Sequence, residues 1–178
     1  EALDWVYDLQ KFGIKFGLSS TARLMAGLNN PQHQCRYLHI AGTNGKGSTT
    51  AFLKAMLEAA GRRVHVYTSP HLVRFHERIE LAGADGKARA IGEADLVDVL
   101  TRTQAVNSGD DITQFEITTA AAFLAFAAHP ADALILEVGL GGRLDATNVV
   151  ERPALTVITP VSLDHAEKLG NTLAKIAA

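Results

Sequence analysis

An apolar run, Tyr37-Leu-His-Ile-Ala41, breaks into Gly42-Thr-Asn-Gly-Lys-Gly-Ser-Thr49 and then into a helical pattern, and this junction limits what the chain can fold into. A strand that ends in closely spaced glycines and opens a helix belongs to an α/β architecture. Gly42, Gly45 and Gly47 let the backbone turn tightly enough for N–H groups to converge on an anion, and a helix beginning near Lys46 adds the positive end of its dipole. The segment reads as a phosphate cradle formed by Gly42, Thr43, Asn44, Gly45, Lys46, Gly47, Ser48 and Thr49. Lys46 supplies a point charge for β- and γ-phosphates, and Ser48 or Thr49 a hydroxyl for Mg²⁺. The spacing departs from the common G-x-x-x-x-G-K-[ST] form, because two residues separate Gly42 from Gly45 and Gly47 intrudes between the lysine and the hydroxyl.

The flanking segments repeat the alternation. Ala51, Phe52, Ala55, Met56, Leu57 and Ala59 give a helix with a broad apolar face, stopped by Gly61, and Arg63 to Thr68 is a second strand. Strand, helix and strand within just over thirty residues make a parallel βαβ unit. Asp132 to Gly139 and Ala154 to Pro160 are further apolar strands of the same core sheet. Thr113 to Ala128 is nearly all apolar after Thr119, as expected of a helix buried against that sheet, and Glu93 to Val106 is another helix. The segments around the turn Ala84-Asp-Gly-Lys87 read as a small hairpin standing off the main sheet. Before the cradle, Leu3 to Leu9 is helical, Ser19 or Ser20 caps a second short helix, and the glycine-broken loop from Phe12 to Gly17 either packs under that pair or forms a lid. The fold class is therefore a Rossmann-like P-loop domain with a mostly parallel central sheet flanked by helices.

At 178 residues the chain suits one domain with a sizeable core. Its 17 basic and 19 acidic side chains are interspersed, which argues against nucleic acid or a membrane surface as the main partner. The single cysteine, Cys35, rules out an internal disulfide and fits a reducing compartment, the cytoplasm by default. No run approaches the roughly 18 apolar residues of a membrane helix. The chain begins without Met inside one helical pattern and stops within another, from Asn171 to Ala178, as expected of a fragment of a longer protein.

In open parallel sheets ligands gather at the carboxyl ends of the strands, and several chemically apt residues fall there. Ser69 follows the second strand, Glu137 ends the strand after it, and His165 follows the last, with Asp164 beside it. A carboxylate buried in so apolar a strand needs a cation nearby, so Glu137 reads as a metal ligand, and His165 can ligate through a neutral imidazole. Arg143, Asp145 and Asn148 sit on the glycine-rich loop from Gly139, where Arg143 can grip an anion bidentately. Gln114, Phe115 and Glu116 open their helix toward the crevice, with Glu116 either a first-turn dipole carboxylate or a functional group. The charged run Arg74, His76, Glu77 and Arg78 reads as a solvated face.

Taken together, LQKFGIKFGL, AGTNGKGST, TSPHLVRFHERI, QFEITTAAAFLAF, LEVGLGGRLDATNVV and SLDHAEKLGNTLAKIA resemble, in order, the amino-terminal ATP-binding domain of the folylpolyglutamate synthases and bifunctional dihydrofolate synthases of the Mur ligase superfamily. The resemblance runs nearly end to end. It implies a monomeric ATP-dependent ligase that phosphorylates a carboxylate of dihydropteroate or a reduced folate and lets the amine of L-glutamate displace the phosphate. It also implies catalytic roles for Lys46, Glu137 and His165, one Mg²⁺ on Ser48 and Glu137, and a second on Ser69, Glu137 and His165. Arg78 and Arg143 would face substrate or glutamate, and the Ser69–Arg78 loop with Gln114, Phe115 and Glu116 would wall the pterin side. Members of that family continue into a lysine-bearing segment and a carboxyl-terminal domain that help hold the second metal, ATP and glutamate. Lys175 precedes that segment and does not replace it, so these residues alone are expected to be inactive or nearly so. Another Mur-type amino-acid ligase, or a nucleotide-binding module without catalysis, are the competing readings. The chain has no guanine-reading N-K-x-D pattern.

Overall fold

The computed structural model describes residues 2–13, 15 and 17–177. Strand β1 (Tyr37–Ala41) runs into the glycine turn, and helix α3 (Lys46–Ala59) carries the chain back to β2 (Val64–Tyr67). These strands are short and mostly apolar, each with one histidine, and they are buried between helices. They do not pair with each other. Strand β5 (Ala133–Glu137) lies between them, parallel to both, with Ile40 opposite Glu137 and Tyr67 opposite Leu136. Strand β6 (Leu155–Ile158) adds to the other side of β1, again parallel.

The hairpin strands, β3 (Ile79–Ala82) and β4 (Ala88–Ala90), do not stand off the sheet as the sequence suggested. They continue it, antiparallel, giving the order β4-β3-β2-β5-β1-β6. The outer edge of β2 would otherwise be open, and fully buried Ile79 packs into the core only in this register. Polar straps from α3 hold the hairpin: Lys54 pairs with Glu80, while Glu58 accepts from the Ala88 amide at 2.9 Å and from Lys87 at 3.1 Å.

One face of the sheet is covered by α1 (Ala2–Asp8), α2 (Ser19–Gly27), α4 (Glu93–Asn107) and α5 (Gln114–Ala127), and the larger core cluster lies there. α5 is buried from Glu116 to Phe126. α3 covers the opposite face, over Ile40, Val66 and Ile135, with Leu53 and Leu57. Neither Ser19 nor Ser20 caps α2: Leu18 occupies the cap, and the Ser20 hydroxyl instead accepts from Lys15 at 2.9 Å. In the loop from Phe12 to Gly17, Ile14 and Phe16 lie outside the described residues. Two short exposed helices, α6 (Ala166–Leu169) and α7 (Leu173–Ala177), follow β6. Because β1, β2, β5 and β6 are parallel, their carboxyl ends meet on one edge, which places the turn at Gly42, the Ser69 loop, Glu137 and the Ser162–His165 segment together.

Candidate active site

The glycine turn is fastened to the segment after β6. The amides of Thr43 and Asn44 both donate to Pro160 O, at 3.1 and 3.2 Å, and Thr43 Oγ1 accepts from the Ser162 amide at 3.0 Å. A side chain at Gly42 is excluded, since a Cβ there would lie 2.2 Å from Thr159 Oγ1 in a backbone with φ +129°. With the Thr43 and Asn44 amides engaged, the donors for an anion are those of Lys46, Gly47 and Ser48, which have no carbonyl of their own helix to bond, and no side chain caps the helix at Gly45. Thr43 and Asn44 therefore brace the cradle through their backbones. Lys46 Nζ donates to Gly42 O at 2.8 Å and Thr43 O at 3.3 Å, so two of its three donors organise the loop and one is left for a ligand.

Glu137 is buried, at 5% exposure. Burial pushes its carboxyl above the usual range, and the Lys46 charge and the Ser69 amide only partly oppose this. The residues fit a divalent cation with nucleotide phosphates: a cradle that a Cβ would fill, three orphan amides, a lysine, and a desolvated carboxylate whose charged form a cation would restore. Among the described residues no three His, Cys, Asp or Glu side chains cluster closely enough to hold a metal by themselves. Any metal here would draw on hydroxyls and ligand oxygens as well.

Two cavities open at this edge. One, of about 380 Å³, is lined by Gly42, Thr43, Lys46, Arg143, His165 and Lys168, among others. The second, of about 270 Å³, is lined by Lys15, Ser69, Arg78, Phe115, Asp145 and His165, with Gly13 and Gly17 at its border. Gly139, Leu140, Leu144 and His165 line both. A Cβ at Gly139 would collide with the Phe115 ring at 2.5 Å, so the shared wall needs a glycine there. His165 adopts a left-handed backbone, φ 47°, at the start of α6, and its amide is held by the Asp164 carboxylate at 2.9 Å.

Sequence and structure part company at several residues. The charged run is not a solvated face: His76 and Arg78 are buried, the Arg78 guanidinium lies 5.4 Å from the Phe75 ring centroid, and its Nε donates to His71 Nδ1 at 2.8 Å. Glu77, whose carboxylate accepts from the Leu72, Val73 and Arg74 amides, ties the loop upon itself. Glu116 takes the first of its two readings and also lines the second cavity: it caps its helix, Thr113 Oγ1 accepting from its amide, its carboxylate accepting from the Thr113 amide at 2.8 Å, and Thr21 donating to the other oxygen. Gln114 lines neither cavity, and its amide nitrogen is buried without a hydrogen-bond partner. Glu137 and Ser48 also lie outside both linings. Lys15 and Asp145 carry no role legible from the residues alone, though Asp145-Ala-Thr147 carries the signal of a carboxylate capping a short turn.

The Mur ligase middle domain family matches residues 40–178. The chain is 46% identical over 183 residues to a dihydrofolate synthase/folylpolyglutamate synthase of Bacillus subtilis (strain 168), covering 99% of this chain and 41% of that one. It is 40% identical over 161 residues to the folylpolyglutamate synthase of Lacticaseibacillus casei, covering 86% and 36%. Among solved structures, that of E. coli FolC in complex with DHPP and ADP aligns with a TM-score of 0.88 at 35% identity, over 98% of this chain and 42% of that one. A bifunctional folylpolyglutamate synthase/dihydrofolate synthase with Mn, AMPPNP and L-glutamate bound aligns at 0.85 and 36%, over 98% and 42%. The chain thus spans about two fifths of the length of the curated relatives it matches.

Proposed function

Because the chain belongs to the Mur ligase family through that family's middle domain, we propose that it is the nucleotide-binding part of an ATP-dependent ligase that joins L-glutamate to dihydropteroate or a reduced folate. The observation that carries this reading is the pair of cavities sharing a wall at Gly139, Leu140, Leu144 and His165, one opening on the phosphate cradle and the other on an amphipathic chamber. The bound nucleotide supplies the phosphoryl group and, with Mg²⁺, the charge neutralisation that its transfer to a carboxylate requires.

The residues divide the remaining work. Lys46 and the amides of Lys46, Gly47 and Ser48 would hold phosphate oxygens. Ser48 and Glu137 would hold one Mg²⁺, and Ser69, Glu137 and His165 a second. In the other chamber Phe115, Leu140 and Leu144 present apolar walls, Asp145 accepts hydrogen bonds from an N–H-bearing ring, and Arg78 and Lys15 attract the anionic end. Arg143 serves the phosphate or glutamate side. We place the protein in the cytoplasm, as a monomer. The 178 residues alone bind nucleotide weakly and turn over little.

Relatives whose names state both dihydrofolate synthase and folylpolyglutamate synthase support the folate branch over other Mur-type ligases. The test is co-binding. The chain saturated with AMPPCP and Mg²⁺ is expected to bind dihydropteroate, and failure to do so would remove the acceptor reading. Pteroate-stimulated phosphate release, measured on the protein carried to the length of its relatives, separates a ligase from a module that binds nucleotide and transfers nothing.

A further inference from the structure

His39 lies in the middle of β1, 8% exposed, and the reaction outlined above has no use for it. Its Nε2 is 2.9 Å from Thr147 Oγ1, which is fully buried, and that hydroxyl lies 2.6 Å from Asp145 Oδ1. Asp145 Oδ1 also accepts from the Thr147 amide at 3.0 Å, and Oδ2 accepts from the Leu140 amide at 2.8 Å. The directions are forced by chemistry. An ionised carboxylate only accepts, so the Thr147 hydroxyl donates to it. The Thr147 oxygen is then left to accept, and the imidazole must carry its proton on Nε2.

We infer that His39 is a positioning residue for the acceptor chamber: acting through Thr147, it locks the carboxylate of Asp145 in the orientation that presents a hydrogen-bond acceptor to a flat, N–H-bearing heterocycle. The inference rests on the proposed acceptor site, to which it adds a residue separated from the ligand by Thr147 and Asp145. Burial supports the arrangement from both ends. It pushes the His39 imidazole down, keeping it neutral with a single proton to place, and it pushes the Asp145 carboxyl up, so that the donors around it are needed to keep it charged. A histidine placed there for bulk alone would not need its nitrogen aimed at a hydroxyl whose own donor is aimed at a cavity-lining carboxylate.

The test is titration of the protein, carried to the length of its relatives, with dihydropteroate in the presence of AMPPCP and Mg²⁺. Thr147→Val and His39→Phe are expected to weaken dihydropteroate binding by about tenfold each, the scale of one charge-assisted hydrogen bond. Thr147→Ser and His39→Gln, which keep a hydroxyl and an N–H donor, are expected to stay within about threefold of the parent. AMPPCP affinity stays at the parent value in all four, which reports an intact fold. Unchanged dihydropteroate binding by folded Thr147→Val and His39→Phe overturns the positioning role and leaves the acceptor site standing. Absence of dihydropteroate binding by the parent chain overturns the acceptor site itself. Should a variant fail to fold, the ¹⁵N shifts of His39 in the parent decide: a neutral ring protonated on Nε2 supports the relay, and one protonated on Nδ1 overturns it.

Discussion

Helices α3 and α5 each have 14 residues and pack on opposite faces of the same strands, yet they are held by different forces. α5 is buried at every position from Glu116 to Phe126. α3 buries only Thr50 fully and leaves Phe52 and Met56 at 69% and 59% exposure. The first is a core staple whose apolar area is removed from water on all sides. The second is fixed by the glycine turn at its amino end and by straps from Lys54 and Glu58 to the hairpin. Core stability and the phosphate cradle are thus lodged on different faces, so a substitution in the α5 core should leave the cradle nearly intact, and the reverse.

The largest expected effect is on the α5 side. Phe123→Ala removes a ring packed edge-on against Tyr37 and Phe126 and should cost about 3–5 kcal/mol of stability, read as a lower denaturant midpoint at unchanged slope. On the α3 side, Lys46→Ala should weaken AMPPCP binding by about 1.5–3 kcal/mol while the melting temperature stays near the parent's, since among the described residues the hydrogen bonds of Lys46 go to its own loop. Thr113→Ala breaks the capping box that starts α5 and should cost about 1 kcal/mol, with no loss of AMPPCP affinity. Smallest of all, Phe52→Ser should change stability by less than about 0.5 kcal/mol, because the ring is largely in water already.

Much of this division could be read from the residues. The near-continuous apolar run after Thr119 announced a buried helix, and Gly42 to Thr49 announced the strand, turn and helix that carry the cradle. Parallel strands put Ser69, Glu137 and His165 on one edge without further information. What escaped the sequence depends on partners far along the chain. Pro160 engages the Thr43 and Asn44 amides from more than a hundred residues away, and the hairpin joins the sheet because β2 has an open edge, which no local pattern reveals. Local pattern places Arg78 in an exposed charged run, because its cover, the Phe75 ring and His71, comes from the folding of a loop upon Glu77. Asp145 looked like one polar residue in a glycine-rich loop, and only the fold brings β1 and His39 up behind it.

Glu137 lies between the two helices, on a strand whose Leu134 and Leu136 pack with α5 and whose Ile135 packs with α3. Its burial penalises the charged form, so the folded protein favours the protonated state more than the unfolded chain does, and stability contributed by that proton is lost as pH rises through the raised pKa. Metal binding needs the opposite state. Mg²⁺-dependent nucleotide affinity should therefore fall toward acid at a higher pH than an ordinary glutamate would give, and Glu137→Gln should flatten that dependence while raising the melting temperature.

On the proposed reading, the carboxyl edge of this sheet binds a nucleotide together with a cation held by Glu137. The most direct measurement is AMPPCP affinity with Mg²⁺ and with EDTA, in the parent chain and in Glu137→Gln. Mg²⁺ should strengthen binding to the parent by at least about tenfold, or 1.4 kcal/mol, and strengthen binding to Glu137→Gln far less. Equal Mg²⁺ enhancement in both proteins would contradict it.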